Sequence, residues 1–127
     1  MSATAARLAE ARTRDRTLEG LLESIGRPAR RRFGADSRRF AEAVRRRLRA
    51  GDKRFGAAFL DRDNVSEALE EAWDLGAYVI LELDRLKRDG RLTAAVRDDL
   101  LRALLLAAAA DHYLRRAGRA RRREDAR

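Results

Sequence analysis

Apolar residues along this chain recur mainly at intervals of three and four, the spacing of a helix face. The clearest case is residues 64–86, where Ala68, Ala72, Leu75, Val79, Leu83 and Leu86 share one side at about 100° per residue. The pattern predicts a helix from Asp63 or Asn64 to Lys87 or Arg88, ended by Gly90. Asn64 and Glu67 have the spacing of a capping box. A helix from about Asp36 or Ser37 to Ala50 precedes it, with Phe40, Val44 and Leu48 as its apolar seam and Gly51 as its stop. A loop over 51–64, pinned by Phe55, Phe59 and Leu60, joins the two. Thr93 caps a last helix that runs to about Arg116 and stops at Gly118.

The two ends are harder to read. Leu8, Leu18, Leu21, Leu22 and Ile25 are thinly spaced before Leu18, and Gly26, Pro28 and Gly34 punctuate the stretch up to residue 34. Residues 1–34 are therefore expected to be a partly ordered basic arm with one helix in it. Residues 35–117 form the expected helical domain, and the charged run 118–127 is expected to be a disordered tail. The fold class is all-α, a small bundle of three to four helices. The stretch "ALLLAAAA" (Ala103–Ala110) is apolar all round, so association through the last helix into a dimer or higher oligomer is expected.

Composition removes several kinds of chemistry. With no Cys there is no disulfide framework, thiolate zinc site or cysteine nucleophile. One His (His112) argues against a catalytic triad or a multi-His metal site. The longest apolar run is far short of the ~20 residues that cross a bilayer, and residues 1–15 have no apolar signal core. No membrane partner is expected, and a soluble, cytoplasmic setting is.

Charge is unevenly placed. Residues 1–54 carry net +9, residues 55–90 net −5 and residues 91–127 net +5. Within the acidic centre, Glu67, Glu70, Glu71 and Asp74 fall within two helical turns, mostly opposite the main apolar arc. Two readings stand side by side: the wet side of a helix, or carboxylates whose mutual repulsion a Mg²⁺ ion or a basic partner surface relieves. Tyr78 and Leu81 continue that side and suggest it is less wet than its acids imply.

The stretch "EEAWDLGAYVILELDRL" (Glu70–Leu86) resembles the metal-binding helix of MazG-like nucleotide pyrophosphohydrolases, through its E-E-x-x-D core, an aromatic residue four positions on and an apolar continuation. The resemblance implies an all-α, oligomeric, Mg²⁺-dependent protein that cleaves nucleoside triphosphates to monophosphate and pyrophosphate. Glu71 and Asp74 then become metal ligands, with Glu70 and Glu67 beside them. The family's further E-x-x-E pair on a preceding helix has no counterpart here; the second helix offers Glu42 alone.

The basic stretch Pro28–Gly56 supplies candidate phosphate-binding groups, for a triphosphate or for nucleic acid: Arg45, Arg46, Lys53 and Arg54. No base-reading motif accompanies them. The resemblance thus implies a MazG-like, Mg²⁺-dependent nucleotide-binding protein, with hydrolysis of ribo- or deoxyribonucleoside triphosphates to monophosphate and pyrophosphate as its expected activity and no assigned catalytic residue. The alternative is a non-enzymatic basic helical protein that binds nucleic acid or serves as an oligomeric assembly or regulatory module.

Overall fold

The computed structural model describes residues 2–55 and 63–127. Among them lie four helices: α1 (Ala3–Phe33), α2 (Asp36–Phe55), α3 (Asn64–Arg88) and α4 (Ala94–Asp125). The described residues hold no strand, and the all-α expectation stands. The expectation of one small bundle gives way to two compact units, Met1–Phe59 and Leu60–Arg127, each built on a pair of helices.

In the first unit, α1 continues through Gly26 and Pro28, where their helix-breaking character predicts an interruption. Proline's fixed φ suits a helix, and the ring forfeits the one hydrogen bond its nitrogen would have donated. The true stop is Gly34, whose φ of 62° only glycine adopts readily and whose N–H closes on the Arg30 carbonyl at 2.9 Å. Ser2 caps the other end by accepting from the Ala5 N–H, so the expected partly ordered arm is a helix of 31 residues.

Helix α2 passes through Gly51 to Phe55 rather than ending at Ala50. Its half-buried positions include Ala41, Val44, Arg45 and Leu48, with Ser37 buried at the start. Phe40, expected in the seam, is 67% exposed. Glu19 of α1 accepts from the Arg45 Nε through both carboxylate oxygens at 2.9 Å, joining the two helices. Phe59 and Leu60, expected to pin the following loop, lie outside the described residues, as does the side chain of Phe55.

In the second unit, α3 and α4 are antiparallel arms of a hairpin. The contacts Asp63–Arg121, Trp73–Asp111 and Gly76–Leu104 pair residues nearly equidistant from the turn at 89–93. That turn is a Schellman motif: the Arg91 N–H reaches the Leu86 carbonyl and the Gly90 N–H the Lys87 carbonyl, with Gly90 at φ 68°. Thr93 caps α4 as expected, accepting from the Val96 N–H. For α3 the cap is Asp63, not Asn64; its carboxylate accepts from both the N–H and the hydroxyl of Ser66.

The seam between α3 and α4 is narrow. Ala72, Val79, Leu86 and Ala107 are its buried apolar residues, and Gly118 is buried with them. Gly118 was expected to end α4. Instead α4 runs on to Asp125, because the glycine serves close approach: a Cβ there would stand 3.4 Å from the Val65 Cγ1.

Two glycines of this hairpin should respond in opposite directions. A Cβ at Gly76 would meet the Leu104 Cδ1 at an ordinary 3.7 Å, so Gly76→Ala gains helix propensity, about 0.5–1 kcal/mol, and raises the melting temperature. Gly90→Ala forces a side chain into left-handed backbone and should cost roughly 1–2 kcal/mol. Circular-dichroism melts of the two variants check both signs.

Candidate metal-binding face of the third helix

Helix α3 turns its buried line, Ala72, Val79 and Leu86, toward α4, and that orientation decides where every other side chain points. Glu67, Glu70, Glu71 and Asp74 are all exposed. Tyr78 (72% exposed) and Leu81 (61%) are exposed with them, so this side is wetter than the sequence suggested. The reason is geometric: a two-helix pair covers one strip of each helix and leaves the flanks and back open.

The remaining acids of the hairpin arm are held by cations. Asp63 at the start of α3 meets Arg121 at 3.4 Å. Further along, Glu82 accepts from Arg85, Asp84 from Arg88, and Asp89 faces Arg85 at 3.8 Å. Glu67 also has an interaction of its own. By contrast, Glu70, Glu71 and Asp74 make no hydrogen bond or ion pair among the described residues. A chain with 30 basic side chains leaves these three carboxylates open to solvent.

No three acidic or His side chains of the described residues converge into a group that would cage a metal. A hard divalent cation does not need one. Mg²⁺ is commonly held by one or two carboxylates and completes its shell with waters and substrate phosphates. Glu71 and Asp74, one turn apart on the same exposed face, fit that donor set, with Glu70 and Glu67 close by in sequence. A Ca²⁺-type cage of six to eight protein oxygens does not fit it.

Beside this face lies a cluster that the pattern alone did not reveal. The Trp73 indole N–H donates to Asp111 at 2.7 Å. Arg115 donates to the same carboxylate at 3.1 Å, with its guanidinium 5.9 Å from the Trp73 ring centroid. Asp111 and Arg115 are an i, i+4 pair legible on one helix; Trp73 stands 38 residues away, so only the hairpin register brings it there. His112 is exposed and packs edge-on against Tyr113, with ring centroids 5.0 Å apart.

The other candidate residues, Arg45, Arg46, Lys53 and Arg54, belong to the α1–α2 unit. Arg46, Lys53 and Arg54 are exposed. Arg45 is turned inward onto Glu19, so it braces the helix pair instead of offering a free fork to phosphate.

Two aspartates are poised by these contacts. The Ser66 hydroxyl and N–H, followed by Arg121, hold Asp63 below the ordinary aspartate range. The Trp73 N–H, followed by Arg115, does the same for Asp111. Both folded-state values are depressed, so the stability they lend is full above the ordinary value near pH ~4 and is lost as pH falls through the lowered values.

No protein-family model, curated protein or solved structure matches this chain.

Trp73 is the sole tryptophan, so its emission reports on Asp111 directly. The emission should shift as pH drops below about 4, where ordinary aspartates titrate, while Asp111→Asn removes that acid step. A step of equal size in the variant would mean that Asp111 is not its source.

Proposed function

We propose that this protein is a MazG-like, Mg²⁺-dependent nucleotide-binding protein that hydrolyses nucleoside triphosphates to monophosphate and pyrophosphate. The observation that carries this reading is the selective openness of Glu70, Glu71 and Asp74 on a helix where Asp63, Glu82, Asp84 and Asp89 are each paired with arginine. Unpaired carboxylates at this spacing repel one another and weaken a helix. The helix N-terminus eases that repulsion only within the first turn, where Glu67 lies. A divalent cation relieves it directly.

In this reading Glu71 and Asp74 would hold the cation, and Glu70 and Glu67 would keep the local field negative so that the ion stays. A bound Mg²⁺ neutralises triphosphate charge and lowers the pKa of coordinated water. Helix α3 contributes placement: its first turns are fixed by the Asp63 cap and its middle by the Trp73–Asp111 bond. That rigidity holds two carboxylates in a constant mutual position without a protein cage.

Assembly belongs to the same proposal, with a second copy of the hairpin as the partner. Leu75, Tyr78, Leu106 and Tyr113 lie on the flank opposite Trp73 and Asp111, and all are substantially exposed. Together they offer on the order of 500 Å² of apolar surface, most of the roughly 800 Å² per partner in a standard interface. Residues 103–110 carry no charge, so a two-fold pairing centred on this stretch of α4 meets no like-charge repulsion there, while Glu71 and Asp74, one turn before Leu75 and Tyr78, lie at the edge of the same flank. Two hairpins paired this way make a four-helix bundle, which covers what one pair leaves open.

Pyrophosphate release should appear when the common ribo- and deoxyribonucleoside triphosphates are tested with Mg²⁺ or Mn²⁺. Glu71→Gln and Asp74→Asn should each lower it at least about 100-fold, the order expected when metal coordination is disturbed. Absence of release from every triphosphate with the wild type would overturn the hydrolase reading. Light scattering should give twice the 14.4 kDa chain mass, and Leu106→Glu should return it to the monomer value.

A further inference from the structure

The two units divide the charge of the chain completely. Residues 60–127 hold 14 basic and 14 acidic side chains, a net of zero. Residues 1–59 hold 16 basic and seven acidic, so the whole +9 of the protein resides in the α1–α2 unit. An arginine-rich habit of the chain as a whole would leave an excess in both units; here the excess is confined to one.

Within that unit the charge is ordered. Helix α2 packs through Ser37, Ala41, Val44 and Leu48. At about 100° per residue, Arg39, Arg46, Arg49 and Lys53 then fall on the outward arc, where Glu42 is the one acid, and Arg38 stands at its margin. All five cations are exposed. Arg39 makes a loose 3.9 Å contact with Asp36 between two side chains more than 80% exposed, a pair of little consequence. Among the described residues Arg38, Arg46 and Arg49 have no acidic partner. From Arg38 to Lys53 the stripe is about 22 Å long at ~1.5 Å per residue.

Like charges at these spacings, as between Arg46 and Arg49 and between Arg49 and Lys53, oppose helix formation. Free guanidinium forks matched to phosphate oxygens make the opposing cost useful once a polyanion is present. The arc carries no large apolar side chain, which separates a nucleic-acid surface from an interfacial membrane helix: the latter needs an exposed apolar stripe to insert, and the Val44–Leu48 line of α2 is turned toward α1.

We propose that the outward arc of α2, formed by Arg39, Arg46, Arg49 and Lys53 with Arg38 at its margin, is a docking surface for the phosphate backbone of double-stranded nucleic acid, bound without regard to sequence. No base-reading group accompanies the stripe, so phosphate contacts alone set affinity and its salt dependence. The surface belongs to a different unit from Glu71 and Asp74 and does not depend on the hydrolase reading.

The test uses the full chain and a labelled duplex of arbitrary sequence, followed by fluorescence anisotropy across a salt series. Wild type should bind at low salt. The triple variant R39E/R46E/R49E should bind at least about tenfold more weakly, and the slope of log K against log salt should flatten by about two to three, near 0.9 for each phosphate no longer neutralised. The control variant R116E/R119E/R123E on α4 changes net charge by the same amount and should stay within about twofold of wild type; equal weakening in both variants would show that net charge, not the stripe, binds. A gentler R39Q/R46Q/R49Q variant, with helicity verified by circular dichroism, guards against misfolding and should show the same order of effect. Failure of wild type to bind duplex, or tighter binding to anionic phosphatidylserine vesicles than to duplex, overturns the proposal. Glu71→Gln should bind duplex as wild type does, which keeps this outcome separate from the nucleotide assay.

Discussion

The close approach of α3 and α4 along a seam of small residues governs the second unit. Ala72, Ala107 and Gly118 are buried where the two helices meet, and Gly76 faces Leu104 between them. Small side chains let the backbones come near enough for long polar side chains to span the gap, and so Trp73 reaches Asp111 and Arg121 reaches Asp63. The same smallness limits how much apolar area the pair can bury. Large residues such as Leu105, Leu106 and Tyr113 are left exposed on the flanks.

Electrostatics follows from that geometry. The acidic centre and the basic C-terminal third, which look like opposing blocks along the chain, are the two arms of one neutral hairpin. Acids near a helix end or one turn from an arginine are paired; Glu70, Glu71 and Asp74 sit where neither α4 nor a neighbouring turn supplies a cation. Arginine is abundant, but its placement at i, i+3 and i, i+4 from Glu82 and Asp84 serves the C-terminal half of α3 alone. Local spacing, not overall composition, selects which carboxylates remain unpaired among the described residues.

In the first unit the same rule gives the opposite sign. Glu19 takes up Arg45, the inward arginine of α2, whereas among the described residues Arg38, Arg46 and Arg49 have no acidic partner. One helix thus contains a structural arginine and a row of free ones, distinguished only by the arc on which each stands. A composition-level reading groups Arg45 with Arg46, whereas a rotation of about 100° separates a brace from a candidate phosphate contact.

The sequence by itself determined the helical class, the extent of α3, its apolar line Ala72–Val79–Leu86 and the Thr93 cap, because these depend on periodicity and on hydrogen bonds within a few residues. It also displayed the acidic run and the basic stretch. Only the tertiary structure decided that Gly118 is a contact rather than a stop, that Pro28 lies inside a helix, that Phe40 faces outward and that Trp73 is bound to Asp111. For Gly118 and Trp73 the outcome depends on what a distant segment places opposite the residue. A glycine reads alike in sequence whether it ends a helix or admits a neighbour, and the partner's distance alone, 3.4 Å from a would-be Cβ to Val65, tells the two apart.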